Sequence, residues 1–551
     1  MVRLAIRGVL GAAVLAALLA LAPAAAAHST LIATEPTRDG VVEHSPKHVL
    51  LRFDEPVETA LGSLAVYDGD GERVDAGEIM RPAPEEVQVE IEGELERGTY
   101  TVAWRAISAD SDPINGAWVF HVGEAGPQPS GVAAQVLKDT PFTVSAFYLG
   151  GRFVDFTLLL LCVGGAAAMV FTLRSAAEHV RRRLLGILAA LAAALSVVAL
   201  VGLGLQGAAA GGGGLEEGFR WDAIESVADT RFGHFSLARA ALAAALCAVV
   251  LVARARVGQA APAIRVVALL LAAGLVVTPG LSGHSSVSGP VSVVADAAHV
   301  QAAAVWTGGL AFVAIGLVLA RSERWRLAAV SVPRFSTMAV VSVAILVVAG
   351  TINGYLQVRV LRGLWETEYG VLLLVKLGLV LPLLALGAYN NRFAVPRLRE
   401  QIASVVERRR FLRLASVELV IMLAVVGVTA GLVNAPPART EVEMHEETGM
   451  DLRLGPMQAR MEVMPGEVGS NEIHLEFTKG RPDEVTVLAR LKSKDIGPLR
   501  YRARRGMEPR AYVVKRANLS PAGEWQLRIE ARRGEFDLFT ETVHISIDKE
   551  L

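Results

Sequence analysis

The chain has 551 residues, a formal net charge of -1, a hydrophobic content of 52% and a mean hydropathy of +0.42. This composition is typical of a membrane protein and argues against a single large water-soluble core. A chain without net basic charge gives no reason to expect a nucleic-acid partner. Its two cysteines, Cys162 and Cys247, lie in apolar runs, so an extracytoplasmic disulfide framework is not expected.

Residues 1–27 have the pattern of an export signal. Arg3 and Arg7 precede an apolar run that ends in small residues up to Ala27. Cleavage there would make His28 the first residue of the mature protein. Its α-amine, with an ordinary pKa of about 7.7–8.0, and its imidazole, at about 6.5, would then be able to chelate a metal together. The alternative is that a histidine simply happens to be the first residue after cleavage and has no role in metal binding.

Residues 28–124 predict a small all-β domain. Short alternating runs such as HVLLRF, EVQVEI and GTYTVAW are separated by Pro, Gly and Asp turns, a pattern typical of an antiparallel sandwich or barrel. Asp110 and Asp112 fall in a predicted turn after one of these strands. Their carboxylates either complete a metal site around His28 or are ordinary turn residues. A linker containing Gly and Pro follows over residues 125–141.

Residues 142–437 contain eight apolar runs that can each cross a bilayer, since a spanning helix needs about 20 residues. Arginines are concentrated in alternate loops, as in Arg181–Arg183 and Arg408–Arg410. The positive-inside rule therefore predicts a multi-pass protein of the plasma (inner) membrane with both chain ends extracytoplasmic. Residues 438–551 alternate again and predict a β-sandwich. The expected fold class is a multi-domain membrane protein with an all-β domain, an eight-helix α bundle and a C-terminal β-sandwich.

Polar side chains inside the predicted spans are the strongest functional candidates, because a charged side chain at the bilayer centre costs about 2.5–3.5 kcal/mol on insertion scales. In DAAHVQAAAVWTGG, the spacing places Asp296, His299 and Trp306 on one helix face. His284 and His234 are predicted at the same outer end of the bundle. The three histidines either converge with Asp296 on a metal or are water-exposed helix-end residues, and for His234 the two interpretations have equal support.

The remaining charged residues in the spans are expected to form structural ion pairs. Arg152 and Asp155 have the i,i+3 spacing of a pair on one helix, and Lys376 is expected to pair with Glu418 across two helices. No phosphate-binding loop, dinucleotide fingerprint, zinc-protease motif or nucleophile elbow occurs in the sequence, so no enzymatic activity is expected.

Several stretches of the sequence resemble known families. HSTLIATEPTRDGVVEHSPKHVLLRFDEPVE and YTVAWRAISADSDPINGAWVFHVG, within residues 28–123, resemble CopC, an exported copper-binding β-barrel. DAAHVQAAAVWTGGL, FSTMAVVSVAILVVAGTINGYL and GAYNNRF, within residues 142–437, resemble CopD, its membrane partner. The order is similar to that of CopC–CopD fusions of the YcnJ type, and residues 438–551 resemble the YtkA-like sandwiches attached to such proteins.

The resemblance to CopC implies a Cu(II) site built from the mature amino-terminal histidine and an Asp-x-His turn. The corresponding positions here are His28, Asp110 and Asp112, so an aspartate stands where the family has a histidine. The loss of one imidazole implies weaker binding, although nitrogen and oxygen donors suit Cu(II).

The resemblance implies copper acquisition and its transport or delivery at the plasma membrane. The CopC-like domain would capture Cu(II), and the membrane domain would accept the metal, as Cu(I) if it is reduced. Asp296 would orient the accepting site or neutralise charge there. The accepting residues would be His234, His284 and His299. The implied partners are copper ions, the lipid bilayer and extracytoplasmic copper proteins. Two alternatives remain, namely an extracytoplasmic copper-binding scaffold for metalloprotein assembly and a membrane haem redox protein.

Overall fold

The protein is described by a computed structural model. The described residues are 31–38, 40–53, 56–108, 113–123, 141–211, 213–257, 261–283, 289–400, 403–435, 438, 449–464, 469–492, 496–505, 510–519, 523–534 and 537–547. The predicted signal peptide lies outside these ranges, as do four of the predicted metal ligands: His28, Asp110, Asp112 and His284.

The N-terminal domain consists of two four-stranded sheets, with strand orders β1-β3-β6-β5 and β2-β8-β7-β4. Its strands are β1 (Leu31–Glu35), β2 (Val41–Val42), β3 (His48–Phe53), β4 (Val57–Tyr67), β5 (Asp75–Met80), β6 (Glu86–Ile91), β7 (Gly98–Ser108) and β8 (Pro113–Val122). Alternating valines and leucines give β3 and β6 one buried face, and Val49 lies opposite Val89 in their antiparallel pair. The buried side chains of both sheets form one apolar core.

Within the described part of the chain, eight helices are long and apolar enough to cross a membrane. They are α1 (Phe142–Ala167), α2 (Glu178–Gly211), α3 (Arg231–Ala255), α4 (Pro262–Ser282), α5 (Pro290–Leu319), α6 (Arg324–Val358), α7 (Glu368–Tyr389) and α8 (Val405–Leu432). Helix α1 continues as a π-helical turn over Ala168–Thr172, and α7 continues over Asn390–Ala394. The even number of helices brings the chain into and out of the bundle at the same end.

Glycines allow α1 and α5 to approach closely at the centre of the bundle. A Cβ atom on Gly164 would lie 2.0 Å from the carbonyl oxygen of Ala304, and one on Gly308 would lie 2.2 Å from that of Leu160. Small residues at such crossings are characteristic of helix packing in membranes, where van der Waals contact rather than water exclusion holds helices together. This crossing therefore fixes α5, the helix that carries Asp296 and His299.

The C-terminal domain is a second pair of sheets, ordered β14-β15-β11-β10-β9 and β13-β12-β16-β17. Its strands are β9 (Gly449–Leu454), β10 (Met457–Met464), β11 (Gly469–Lys479), β12 (Glu484–Leu491), β13 (Ile496–Arg502), β14 (Arg504–Arg505), β15 (Ala511–Leu519), β16 (Gly523–Arg533) and β17 (Asp537–Ile547). Trp525 and Tyr512 are among the largest fully buried side chains in the molecule. The predicted fold class, a β-domain, an eight-helix bundle and a further β-domain, is confirmed.

Candidate functional site

The membrane helices surround a cavity of about 1770 Å³. Its walls are mainly apolar, but a small number of polar and charged side chains face it from α1, α3, α5, α6 and α7. Largely apolar cavities with a few convergent polar groups are typical of ligand sites.

Asp296, His299 and Trp306 all line this cavity, so the predicted shared face of α5 is confirmed for these three residues. The carboxylate of Asp296 faces α4, because a Cβ atom on Gly280 would lie 2.7 Å from its Oδ2. The imidazole of His299 faces α6, where a Cβ atom on Gly350 would lie 3.3 Å from its Cε1. The glycines of the two flanking helices therefore provide the space that these polar side chains occupy.

Three polar atoms of residues that line the cavity from α5 and α6 are buried without a partner. Within the described residues, no hydrogen bond reaches His299 Nδ1, Asn353 Oδ1 or Gln357 Oε1. Asn353 and Gln357 follow Gly350 along one face of α6 and also line the cavity. Buried polar atoms in native proteins are nearly always satisfied, so unsatisfied atoms on the wall of one cavity indicate a place where a ligand, an ion or water completes the bonding.

Lys376 on α7 faces the same cavity and is near enough to interact electrostatically with Asp296 and His299. Among the described residues, no ion pair within 4.0 Å joins its ammonium group to a carboxylate. The expected pairing of Lys376 with Glu418 is wrong. Glu418 instead accepts a hydrogen bond from Asn390 Nδ2 at 2.5 Å. Helical spacing identifies the face of each residue but not the helix that opposes it.

The expected pair between Arg152 and Asp155 is also wrong. Asp155 Oδ2 accepts from Arg239 Nη1 of α3 at 2.5 Å, and Arg239 Nε donates to Thr278 Oγ1 of α4 at 2.8 Å. Arg152 donates to the hydroxyl of Tyr148 one turn earlier on α1. The side chain of Asp155 therefore points towards α3 and not towards Arg152 on its own helix. The ion pair between Asp155 and Arg239, together with the hydrogen bond from Arg239 to Thr278, joins α1, α3 and α4 at one wall of the cavity.

The predicted metal ligands are only partly brought together. His234 is exposed in the first turn of α3 and does not line the cavity that contains His299. The described residues contain no group of three or more His, Cys, Asp or Glu side chains placed to hold a metal. His284 would follow Gly283, a cavity-lining residue at the end of α4. Sequence analysis did not place Lys376, Asn353 and Gln357 in one site with His299, although all three line the same cavity and share the signal of polarity within an apolar run.

Family models match most of the chain in three segments. Residues 31–123 match the CopC domain, residues 143–293 match the N-terminal domain of copper resistance protein D-like proteins, and residues 329–432 match copper resistance protein D. The chain joins a CopC domain to a CopD domain. The two CopD segments cover α1 to α4 and α6 to α8, and most of α5, with Asp296 and His299, lies between them.

The chain is also similar to individual proteins. The chain is 26% identical over 542 residues to the copper transport protein CutJ of Bacillus subtilis (strain 168), covering 94% of this chain and 96% of that protein. Among solved structures, the chain is 32% identical to CopC from Methylosinus trichosporium OB3b, covering 18% of this chain and 99% of that chain, with a TM-score of 0.17. It is 27% identical to PcoC, a methionine-rich copper resistance protein from Escherichia coli, covering 17% of this chain and 99% of that chain, with a TM-score of 0.16.

Proposed function

We propose that this protein takes up copper at the plasma membrane and passes it through the CopD domain, acting as a transporter rather than an enzyme. The observation that carries the proposal is the pair of Asp296 and His299 facing one cavity in a chain that combines CopC and CopD domains. The likeness to a copper transport protein extends over 94% of the chain and supports the same function.

The position of the pair along α5 supports entry from outside. Asp296 and His299 are six and nine residues from Pro290, which corresponds to about 9–14 Å from that end of the helix at about 1.5 Å per residue. The distribution of arginines assigns this end to the extracytoplasmic side. Copper arriving from outside would therefore meet these side chains before the bilayer centre.

The donor set suits a copper ion in transit. The imidazole of His299 is a good ligand for copper, and the carboxylate of Asp296 offsets positive charge. The unsatisfied amide oxygens of Asn353 and Gln357 would complete a polar lining, and His284 is the proposed further nitrogen donor. His234 is exposed and away from the cavity, so we leave it out of this ligand set. A positively charged Lys376 on the same cavity wall would repel the cation and keep binding weak enough for release.

Capture in the CopC domain is proposed to use Cu(II) held by His28, Asp110 and Asp112. Binding of Cu(II) to the full-length protein tests this when the native chain is compared with one bearing an extra residue before His28. The extension blocks the α-amine chelate and should abolish the site. If both forms bind Cu(II) equally, or if neither binds it in this domain, the proposed capture site is wrong.

Transfer through the membrane domain is tested by copper accumulation in cells that express each variant at equal levels. His299→Ala and Asp296→Asn should each lower accumulation by at least about 10-fold, since loss of even supporting groups around a metal has effects of this order. His179→Ala is the matched control, because His179 is exposed at the opposite end of the bundle and should have no effect. Wild-type accumulation by His299→Ala would contradict the proposal.

A further inference from the structure

A buried carboxyl group lies near the cytoplasmic end of the membrane bundle. Glu418 on α8 is 4% exposed and follows the exposed Arg413 by five residues, or about 8 Å at about 1.5 Å per residue. Its hydrogen-bond partner Asn390, at the start of the π-helical turn after α7, is 8% exposed. The distribution of arginines assigns this end of both helices to the cytoplasmic side. The pair is therefore separate from the site that contains His299 near the outer end.

The pair continues the cavity-facing sides of α7 and α8 towards the cytoplasm. Met422 is the first cavity-lining residue along α8 and follows Glu418 by four residues, while Leu383 lines the cavity from α7 and precedes Asn390 by seven. Steps of four and seven residues stay on one face of a helix. They correspond to about 6 Å and about 10 Å along the two helix axes. Glu418 and Asn390 therefore lie just beyond the inner end of the cavity.

Glu418 has no ion-pair partner among the described residues. Helix α8 packs against α7 and its π-helical turn, α1 and α5. The titratable side chains of these elements are Glu368, Tyr369, Lys376, Tyr389, Arg392, Tyr148, Arg152, Asp155, Cys162, Asp296 and His299. None of their basic nitrogens is within 4.0 Å of the Glu418 carboxyl group, and Lys376 is about 21 Å from Asn390 along α7 at about 1.5 Å per residue. A buried charge without a counter-ion is costly, which favours a neutral Glu418.

The hydrogen bonds of the pair indicate where a proton would lie. Glu418 Oε1 accepts from Asn390 Nδ2 at 2.5 Å. In the described part of the chain, Asn390 Oδ1 is buried and receives no hydrogen bond. A carboxylic acid has an O–H donor that a carboxylate lacks, so the protonated form of Glu418 supplies the donor that this amide oxygen is missing. The π-helical turn that begins at Asn390 is a feature often found at functional sites.

We propose that Glu418 and Asn390 form a proton-binding site that is occupied at rest and releases its proton when a copper ion reaches the inner end of the cavity. A positive charge nearby favours the ionised form of a carboxyl group. The proton leaves Glu418 for water on the cytoplasmic side, and for Cu(I) the net charge of the interior is the same before and after the exchange. Return of a proton restores the neutral acid and favours release of the ion. The choice of copper rests on the proposed function.

The protonation of Glu418 is tested by infrared spectroscopy of the purified full-length protein at neutral pH. The wild type should show the carbonyl stretch of a carboxylic acid, and Glu418→Gln should lack it. Glu407→Gln is the matched control on the same helix and should keep the acid band, because Glu407 is paired with Arg397 at 2.9 Å and is ionised. An identical acid band in the wild type and in Glu418→Gln would overturn the proposal.

The substitution itself should preserve the fold. The amide of a glutamine can donate to Asn390 Oδ1 as the acid does, so Glu418→Gln should leave the free energy of unfolding unchanged. If this variant fails to fold, isotopically labelled glutamate in the wild type decides the question, because Glu418 is the only buried glutamate among the described residues. The acid band should then shift to lower frequency, and a band that ignores the label would overturn the proposal.

The pairing with Asn390 has a test of its own. Asn390→Ala removes both hydrogen bonds to the acid, so the acid band should move to higher frequency. Asn391→Ala is the control, since the amide of Asn391 accepts from Ser336 instead and its loss should leave the band in place. An acid band that Asn390→Ala does not move would overturn the pairing.

Proton exchange is tested by adding Cu(I), as its acetonitrile complex, to the full-length protein under anaerobic conditions in weakly buffered solution with a pH indicator. The wild type should release one more proton per bound Cu(I) than Glu418→Gln does, and the acid band of the wild type should disappear. Equal proton release by the two proteins, with an acid band that persists when copper is bound, would overturn the exchange.

The outcome is separable from that of the proposed function. His299→Ala should lose copper accumulation yet keep the acid band of Glu418. If accumulation depends on His299 while the wild type has no acid band from Glu418, only the proton site is wrong. If Glu418 exchanges its proton as expected while His299→Ala accumulates copper normally, only the proposed entry site is wrong.

Discussion

The ion pair between Asp155 and Arg239 is predicted to be a major determinant of the stability of the membrane domain. Asp155→Asn keeps the shape of the side chain but removes the negative charge that faces the Arg239 guanidinium. The two side chains are only 11% and 7% exposed, and their atoms approach to 2.5 Å. Solvent screening is therefore small, and the remaining guanidinium would be a buried charge without its counter-ion. Removing one partner of such a pair typically costs about 3–5 kcal/mol.

A double-mutant cycle separates the interaction energy of this ion pair from the general effect of each substitution. Arg239→Met should be about as costly as Asp155→Asn, while the two changes together should cost clearly less than their sum, because no uncompensated charge remains. The free energy of unfolding of the full-length protein is measured in mixed detergent micelles by circular dichroism of the helix band.

An exposed ion pair in the same domain serves as the matched control. Asp222 accepts from Arg220 at 3.2 Å, with side chains 71% and 69% exposed, so Asp222→Asn should leave the unfolding free energy unchanged. The reasoning is refuted if Asp155→Asn behaves like Asp222→Asn, or if the effects of the two changes in the buried pair simply add.

Two further predictions concern glycines at helix contacts. Gly164→Ala should destabilise the bundle by a measurable amount in the same unfolding assay, because its Cβ would lie 2.0 Å from the carbonyl oxygen of Ala304. Gly150→Ala is the control and should have no effect, because nothing lies within 4 Å of its Cβ. Equal effects of the two substitutions would contradict the close approach of α1 and α5. Gly280→Ala should lower copper accumulation, because its Cβ would lie 2.7 Å from Oδ2 of Asp296 and would displace that carboxylate. Gly378→Ala is the control and should have no effect, because nothing lies within 4 Å of its Cβ. Normal accumulation by Gly280→Ala would argue against a role for the Asp296 carboxylate.

The strands and helices could be predicted from the sequence because the spacing of their apolar residues follows from the geometry of each element. The alternation in HVLLRF and EVQVEI corresponds to β3 and β6, whose buried residues face one core. The eight apolar runs correspond to eight helices. In a bilayer an apolar segment of that length must satisfy its own backbone hydrogen bonds, and a helix does so within the segment. The shared face of Asp296, His299 and Trp306 followed from helical spacing in the same way.

The contacts between helices were not accessible in this way. Spacing placed Asp155 beside Arg152 in sequence, but its partner is Arg239 on another helix. Lys376 was assigned to Glu418, but it lines the cavity together with Asp296, and Glu418 accepts a hydrogen bond from Asn390. Periodicity defines which side of a helix a residue occupies, whereas the identity of the opposing helix depends on how the whole bundle packs. Asn353 and Gln357, which line the cavity from α6, were not placed in one site with His299 for the same reason.

The measurement that tests the central claim most directly is copper movement by the purified full-length protein in sealed liposomes. A membrane-impermeant copper indicator inside the vesicles reports arrival of Cu(I) supplied outside under reducing conditions, and vesicles with the His299→Ala variant provide the comparison. The account predicts that the wild type fills the lumen with copper faster than empty vesicles and that the variant does not. Copper binding by the wild type without any entry into the lumen would contradict transport and favour an extracytoplasmic scaffold.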